Sequence, residues 1–291
     1  MNGLGGRTYT RPSAGGADHS AEIEGLEGRV TALEEAPAAV AAGTPVRERV
    51  VQFERLTTSG TWTKADVLAR AEFAGLTESD VEMEVILVGG GAGGRSGSNA
   101  PGGHPGMVSI ARYRMSELAA TLSYVIGAGG GSNGSGGITV WGGTTTGDSL
   151  RYVNGGETAA TAALKDSHVF GRSRSMASYP DLSVYSSSTA RPNSPDGPGA
   201  GGIASGALTV GGFGSLALGP DAARPAYIST ETAEDGKAGV PYSFGAGGAG
   251  NASGNGTPGG TPGGGGGGGS SAGGNGGNGE IRIVYKVLEV A

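Results

Sequence analysis

The stretch that decides the fold is Val81-Glu82-Met83-Glu84-Val85-Ile86-Leu87-Val88-Gly89-Gly90-Gly91-Ala92-Gly93-Gly94. Its first half alternates apolar residues with Glu82 and Glu84, which predicts a β-strand over residues 81–88 with both carboxylates on a solvated outer face. Its second half is nearly all glycine, which disfavours a helix. We therefore expect the chain to leave this strand as extended, glycine-rich backbone.

The same stretch contains a dinucleotide-binding pattern, since Gly89, Gly91 and Gly94 satisfy G-x-G-x-x-G after a strand. That mechanism needs a helix N-terminus to present amides to a pyrophosphate. Residues 95–103 are instead rich in Ser, Asn, Pro and Gly, and residues 109–114 lack the acid that would bind a ribose. We predict no cofactor.

Working outward, other alternating segments predict further strands at residues 50–53, 107–115, 121–126 and 280–287. A short helix is predicted over residues 64–74, with Thr63 as N-cap, Asp66 at the third helical position and Gly75 as the stop. The body thus begins and ends with strands that can pair with each other. The predicted fold class is mainly β.

Glycine runs connect these strands at residues 89–94, 127–137 and 238–279, and half of the last run is glycine. One interpretation is a flexible linker, because glycine loses the most backbone entropy on ordering. The other is a bundle of polyglycine II segments, which are extended, threefold and left-handed. Residues 273–278 have the required period of three and residues 263–269 do not. The return to a well-formed strand favours the ordered bundle.

Composition narrows the function classes. Of 291 residues 63 are glycine, none is cysteine, three are histidine, and the formal net charge is −6. These counts argue against disulfides, thiolate metal sites and a duplex nucleic-acid footprint. No histidine pair has ligand spacing and no serine has an obvious base, so we predict no metal site, no catalytic residues and no enzyme. Neither a signal peptide nor an apolar run long enough to insert in a membrane is visible.

The N-terminal region predicts a self-association element. Residues 1–20 have the composition of a flexible or docking arm, residues 21–36 contain two heptads, residues 37–49 form a linker, and residues 50–291 form the glycine-rich β domain. The heptad a and d positions are Ile23, Leu26, Val30 and Leu33, which predicts a short coiled-coil helix as an oligomer stem. The alternative is an amphipathic helix packed on its own domain.

The order of these blocks resembles the glycine-rich domain found in minor tail, tail tip and tail fibre proteins of bacteriophages. The resemblance rests on residues 59–63, 81–94, 124–130 and 279–285, and it spans about residues 53–287. The family usually has a proline soon after the Trp-Thr pair, whereas this chain has Lys64. Residues 148–240 are poorer in glycine than the family pattern and are interpreted as an insertion.

The resemblance implies a structural component of a phage tail that contributes to host recognition or adsorption. It favours a homotrimer, attached to other tail proteins through the N-terminal region and located in the virion after synthesis in the host cytoplasm. Because function concentrates on loops held by rigid scaffolds, the insertion is the first place to seek host-envelope glycan binding. The candidate residues there are Arg172, Arg174, Tyr179, Tyr185 and Arg191.

Alternatives remain for both the site and the protein. The five candidate residues could instead be solvated or lie between subunits. The chain could be a bacterial surface or matrix structural protein that binds no host. A glycan-degrading enzyme would require a pair of carboxylates in a cleft, about 5–10 Å apart, and the sequence nominates no such pair.

Overall fold

The computed structural model describes residues 46–156, 167–169, 172–174, 198, 201–204, 211, 214, 223–227 and 229–290. Residues 48–289 form one compact unit, which contains nearly all of the features below. The predicted stem residues Ile23, Leu26, Val30 and Leu33 lie outside the described residues, as do Tyr179, Tyr185 and Arg191.

The first sheet contains four antiparallel strands in the order β1-β10-β3-β4, formed by residues Val46–Leu56, Glu280–Val290, Val81–Val88 and Val108–Arg114. In its centre Ile283 lies opposite Val85, and Ala111 lies opposite Val85 on the other side. The strands predicted at residues 50–53, 81–88, 107–115 and 280–287 are confirmed. The predicted pairing of the first strand with the last is confirmed as well.

The second sheet has the order β2-β5-β6-β7, formed by residues Gly60–Thr63, Thr121–Val125, Thr139–Trp141 and Arg151–Val153. A separate hairpin pairs β8 (Ser167–Val169) with β9 (Arg172–Arg174). With these two four-stranded sheets and almost no helix among the described residues, the mainly β fold class is confirmed.

The main hydrophobic core lies between the two sheets. The first sheet contributes the side chains of Val85 and Ile283, which are fully buried, and the second contributes Trp62 and Trp141, whose rings meet edge to face at 5.7 Å. Such aromatic pairs add about 0.5–1.5 kcal/mol to the burial of their apolar area.

A second, smaller core covers the opposite face of β3, and it corrects one prediction. Ile86 and Val88 pack there with Phe244, so both faces of the strand are buried. Glu84 is therefore not on a solvated face, since only 3% of it is exposed. The alternation of apolar and polar residues predicted the strand correctly. It could not show that the segment around Phe244, about 160 residues later, covers the second face of that strand.

The single predicted helix is shorter than expected. Helix α1 spans Lys64–Leu68, and the Thr63 hydroxyl accepts a hydrogen bond from the Asp66 N–H, as predicted for the cap. Arg70 is extended, and short 3-10 helices follow at Ala71–Phe73 and later at Met115–Glu117. The prediction of a continuous helix to residue 74 is wrong, because the chain breaks after α1 and so places Phe73 in the core. Gly75 ends this region with a left-handed backbone (φ +82°).

The glycine runs form an ordered bundle in which the backbone repeats every three residues. Along residues 89–94, successive N–H groups donate to three different segments in turn, and then the cycle repeats. The N–H groups of Gly89 and Ala92 donate to one segment, at the carbonyls of residues 107 and 104. Those of Gly90 and Gly93 donate to a second segment, at residues 137 and 134, and those of Gly91 and Gly94 donate to a third, at residues 277 and 274. This threefold pattern is the hydrogen bonding expected between polyglycine II segments.

The bundle needs glycine because its segments pack backbone against backbone. A Cβ on Gly91 would come within 3.0 Å of the Gly264 carbonyl, and one on Gly267 would come equally close to the Ala249 carbonyl. Residues 263–269 are buried throughout, so no position in this run has space for a side chain. Residues 263–269 are therefore all glycine, whereas a peripheral segment such as residues 273–278 can carry a larger side chain at every third position.

Candidate functional site

One end of the glycine-rich bundle is formed by polar turns. The turns at residues 95–101, 131–134, 251–255 and 269–272 join neighbouring segments, and backbone bridges hold Ser96 and Asn251 beside Gly269. We call this surface the serine–asparagine tip. Its exposed polar side chains are Ser96, Ser98, Asn99, Ser132, Asn133, Ser253, Asn255 and Ser271.

Asn133 fixes one half of the serine–asparagine tip. It adopts a left-handed backbone conformation (φ +61°), which asparagine tolerates better than most residues. Its Oδ1 accepts the Ser96 N–H at 3.2 Å, and its Nδ2 donates to the Ser96 hydroxyl at 3.2 Å. Ser132 in turn accepts the Gly273 N–H at 3.0 Å. Three turns are thus linked by side-chain hydrogen bonds.

Asn251 organises the other half. Its Nδ2 donates to the Asn255 carbonyl and its Oδ1 accepts the Ser253 N–H, both at 3.0 Å. The Ser270 N–H donates to the Asn251 carbonyl at 2.9 Å. The tip therefore presents hydroxyl and amide groups on a backbone fixed by the bundle, and Arg95 is the one charged side chain in its described turns. Such a surface suits neutral, hydrogen-bonding ligands better than charged ones.

A buried carboxylate on the first sheet is held by three donors. Glu84 accepts hydrogen bonds from the Tyr242 hydroxyl, from Arg112 at 3.1 Å and from Lys286 at 3.3 Å. Burial opposes ionisation, but these three groups outweigh it and lower the pKa of Glu84. Burial and the neighbouring carboxylate raise the pKa of Tyr242. A carboxylate held this way is ionised and saturated, which makes it a structural anchor.

A second buried ion group fixes the turn before Phe244. Arg282 is fully buried; its Nε donates to Glu280 at 3.0 Å, and its Nη1 donates to the carbonyls of Val240, Pro241 and Ser243. Arg55 pairs with both oxygens of Glu280 from the other side, at 2.5 and 2.7 Å. The network ties β1 and β10 to the turn that covers the second core.

A chain of hydrogen bonds also runs from the main core toward the surface. Trp62 Nε1 donates to the Tyr285 hydroxyl at 2.9 Å, which donates to Glu54 at 2.7 Å, and Arg70 pairs with both oxygens of Glu54. Burial, then the Glu54 charge, raises the pKa of Tyr285, so this hydroxyl stays protonated. Every member is satisfied, which is typical of a structural network.

The dinucleotide-like glycines have a structural role. Gly91 and Gly94 donate their N–H groups to carbonyls inside the bundle, at 2.8 Å each, and Gly89 donates to Met107 at 2.9 Å. These amides are not free to bind a phosphate. The motif marks the entry into the bundle.

The predicted ligand-binding residues of the insertion are only partly placed. Arg172 and Arg174 lie in β9, where they pair with Val169 and Ser167 of β8. Tyr179, Tyr185 and Arg191 lie outside the described residues, so their grouping stays a prediction. Sequence reasoning missed the serine–asparagine tip, although the Ser and Asn residues at the ends of the glycine runs were a usable signal.

The described residues also bear on metal binding and membrane insertion. No group of three or more His, Cys, Asp or Glu side chains is placed to hold a metal ion among those residues. Nor does any helix there have the length and apolar character required to cross a membrane.

Comparison with protein families places the chain. A family model described as a glycine-rich domain matches residues 74–286, which is most of the chain. No curated protein matches. The match covers β3, the glycine runs of the bundle and β10 as far as residue 286.

Proposed function

This chain belongs to the glycine-rich domain family, and from that premise we propose that it is a structural component of a bacteriophage tail, a minor tail, tail tip or tail fibre protein that contributes to host-surface recognition. It acts by binding rather than by catalysis. It works in the virion as a homo-oligomer, with a trimer favoured, and attaches to other tail proteins through its N-terminal region.

The observation that carries this proposal is the rigid bundle that ends in the serine–asparagine tip. Residues 89–95 and 263–269 cross-link their neighbours through backbone hydrogen bonds, so the turns at the tip are held in one geometry. Pre-ordered turns lose little entropy on binding. A stiff scaffold that presents polar turns suits a protein that must contact a cell surface from the end of a particle.

The family resemblance supports the phage setting, and the heptads at Ile23, Leu26, Val30 and Leu33 support self-association. The competing proposal is a glycine-rich structural protein of a bacterial surface or matrix that binds no host. The two proposals predict different locations for the protein, in phage particles or in the bacterial envelope. They also differ in whether the purified protein blocks the adsorption of phage particles to host cells.

The decisive experiment follows the protein in a lysate of the producing strain. An antibody against the chain should detect it in tail-bearing particles purified through a density gradient, and the purified full-length protein should compete with those particles for adsorption. Detection only in the envelope fraction of cells that make no particles would overturn the proposal.

A pair of substitutions then tests the tip. Ser98 is exposed in the turn at residues 95–101, and Ser116 is exposed in the 3-10 helix after β4. Because β3 leads from that region into the bundle, the two serines lie at opposite ends of the fold. Ser98→Trp should abolish competition for adsorption, whereas Ser116→Trp should preserve it. Equal activity of both variants would contradict a role for the tip.

Oligomeric state has its own test by light scattering. The full-length chain should have the mass of a trimer, and a version that lacks residues 1–45 should have the mass of a monomer. A monomeric full-length protein would refute the stem.

A further inference from the structure

One side of the bundle presents a regular array of uncharged side chains. Residues 255–261 run parallel to residues 272–278, because Gly256 and Gly259 donate to the carbonyls of residues 272 and 275. Residues 127–133 flank them on the other side, where Gly276 and Gly279 donate to residues 130 and 127. These three peripheral segments form what we call the amide face.

In two of these three segments every third residue is exposed or half-buried, which gives two rows of outward side chains. In the first row these are Asn255, Pro258 and Thr261, and in the second they are Ala272, Asn275 and Asn278, all exposed or half-buried. The residues between them are glycine or Thr257, whose backbones form hydrogen bonds within the bundle. At about 3.1 Å per residue, the outward side chains repeat about every 9 Å along each row.

The outward positions also carry unused hydrogen-bonding groups. Asn255 and Asn275 have side-chain amides without a partner among the described residues, and the backbone N–H of Asn275 has none there either. Pro258 occupies an equivalent outward position, where the absence of an N–H costs nothing. Asn278 accepts the Gly129 N–H through Oδ1 at 2.8 Å, and its Nδ2 remains a donor without a partner among the described residues.

We propose that the amide face binds an extended, uncharged polysaccharide, specifically a β-1,4-linked chain of N-acetylated sugars. This rests on the proposed function for the source of the glycan, a host envelope, but the binding itself can be tested without a phage. The repeat of about 9 Å is similar to the length of a disaccharide, so one chain can meet an amide at each repeat. Asparagine amides pair with acetamido groups as both donor and acceptor.

Three features of the amide face favour this ligand over others. The six outward residues of these two rows carry no charge, and the Asp235 carboxylate that accepts the Thr261 N–H at 2.6 Å repels anionic ligands such as phosphates. Pro258 and Ala272 provide small apolar contacts for the faces of sugar rings. The backbone is pre-ordered by the bundle, so a ligand of low affinity per contact loses little free energy to ordering the protein.

The experiment titrates the full-length protein with N-acetylglucosamine oligomers of two to six units by calorimetry. The rows span six residues, or about 19 Å, so affinity should rise with oligomer length up to about four units and then level off. The glucose hexamer with the same linkage should bind at least fivefold more weakly. Equal affinity for the dimer and the hexamer, or no binding of the hexamer, would overturn the proposal.

Matched variants locate the site. Asn255→Ala combined with Asn275→Ala should weaken hexamer binding at least tenfold and leave the unfolding temperature unchanged, since Ala272 already occupies an equivalent outward position. Asn154→Ala, after β7 in the second sheet, should bind like the unmodified protein. Equal loss in both variants, or in neither, would overturn the assignment.

The outcomes separate this inference from the proposed function. Glycan binding by a protein absent from particles would leave the amide face standing and overturn the tail assignment. Incorporation into particles without glycan binding would do the reverse.

Discussion

The glycine-rich bundle can be tested by adding one methyl group at two positions. Gly91 lies in the interior, where a Cβ would come within 3.0 Å of the Gly264 carbonyl. Gly131 lies at the exposed turn, where a Cβ would meet nothing within 4 Å and the backbone φ is not positive. Gly91→Ala and Gly131→Ala are therefore the same chemical change in opposite environments.

The expected magnitudes differ in sign. Overpacking at Gly91 costs about 1–3 kcal/mol, and the shift weakens two backbone hydrogen bonds of about 1 kcal/mol each, to Gly277 and from Gly130. The reduced entropy of the unfolded chain returns about 0.4–1 kcal/mol. The free energy of unfolding should thus fall by about 2–4 kcal/mol for Gly91→Ala. It should be unchanged or rise by about 0.4–1 kcal/mol for Gly131→Ala.

The assay is urea denaturation followed by tryptophan fluorescence, because Trp62 and Trp141 lie in the main core. Both variants and the unmodified protein are compared at the same concentration, so that self-association does not alter the comparison. Identical midpoints for Gly91→Ala and Gly131→Ala would refute the close backbone packing on which the bundle rests.

Three further substitutions test the sheets and the helix. Glu84 has a lowered pKa in the folded protein, so its contribution to stability is present above its unfolded pKa and is lost as the pH falls through the folded one. Glu84→Gln should flatten the acid side of the stability–pH curve, and an unchanged curve would contradict the assignment. Arg282→Met should lower the free energy of unfolding by about 3 kcal/mol or more, because carbonyls of the turn at residues 240–243 lose their donor. A loss below about 1 kcal/mol in chemical denaturation would contradict this role of Arg282. Thr63→Ala should cost about 1 kcal/mol through the lost cap to Asp66, whereas Thr63→Ser should retain most of the stability in the same measurement.

The strands were predictable because their signal is local. Residues 81–88 and 280–287 alternate in hydrophobicity, and their pairing follows from strands at both ends of one domain. The N-cap of α1 was predictable for the same reason. The end of that helix was not, because the burial of Phe73 against Tyr285, with ring centroids 5.3 Å apart, depends on a strand more than 200 residues away.

The bundle was predictable in kind and not in detail. Residues 273–278 carry the period of three because they lie at the edge, where every third position has space. Residues 263–269 lie in the interior, where neighbouring backbones exclude all side chains and erase the period. The environment of Glu84 was missed because Tyr242 and Lys286 approach it from distant segments, and no local pattern encodes that contact.

The position of β10 has a consequence for how the molecule is made. This strand lies between β1 and β3 in the first sheet, although it is the last of the three to leave the ribosome. Until residues 280–290 have been synthesised, β1 lacks its neighbour and β3 lacks one of its two. Sheets that depend on such distant pairing fold slowly, and the unpaired edges of the nascent chain are open to aggregation. We therefore expect folding to be completed only after translation has passed β10. A chaperone that shields the nascent strands should then increase the yield of folded protein.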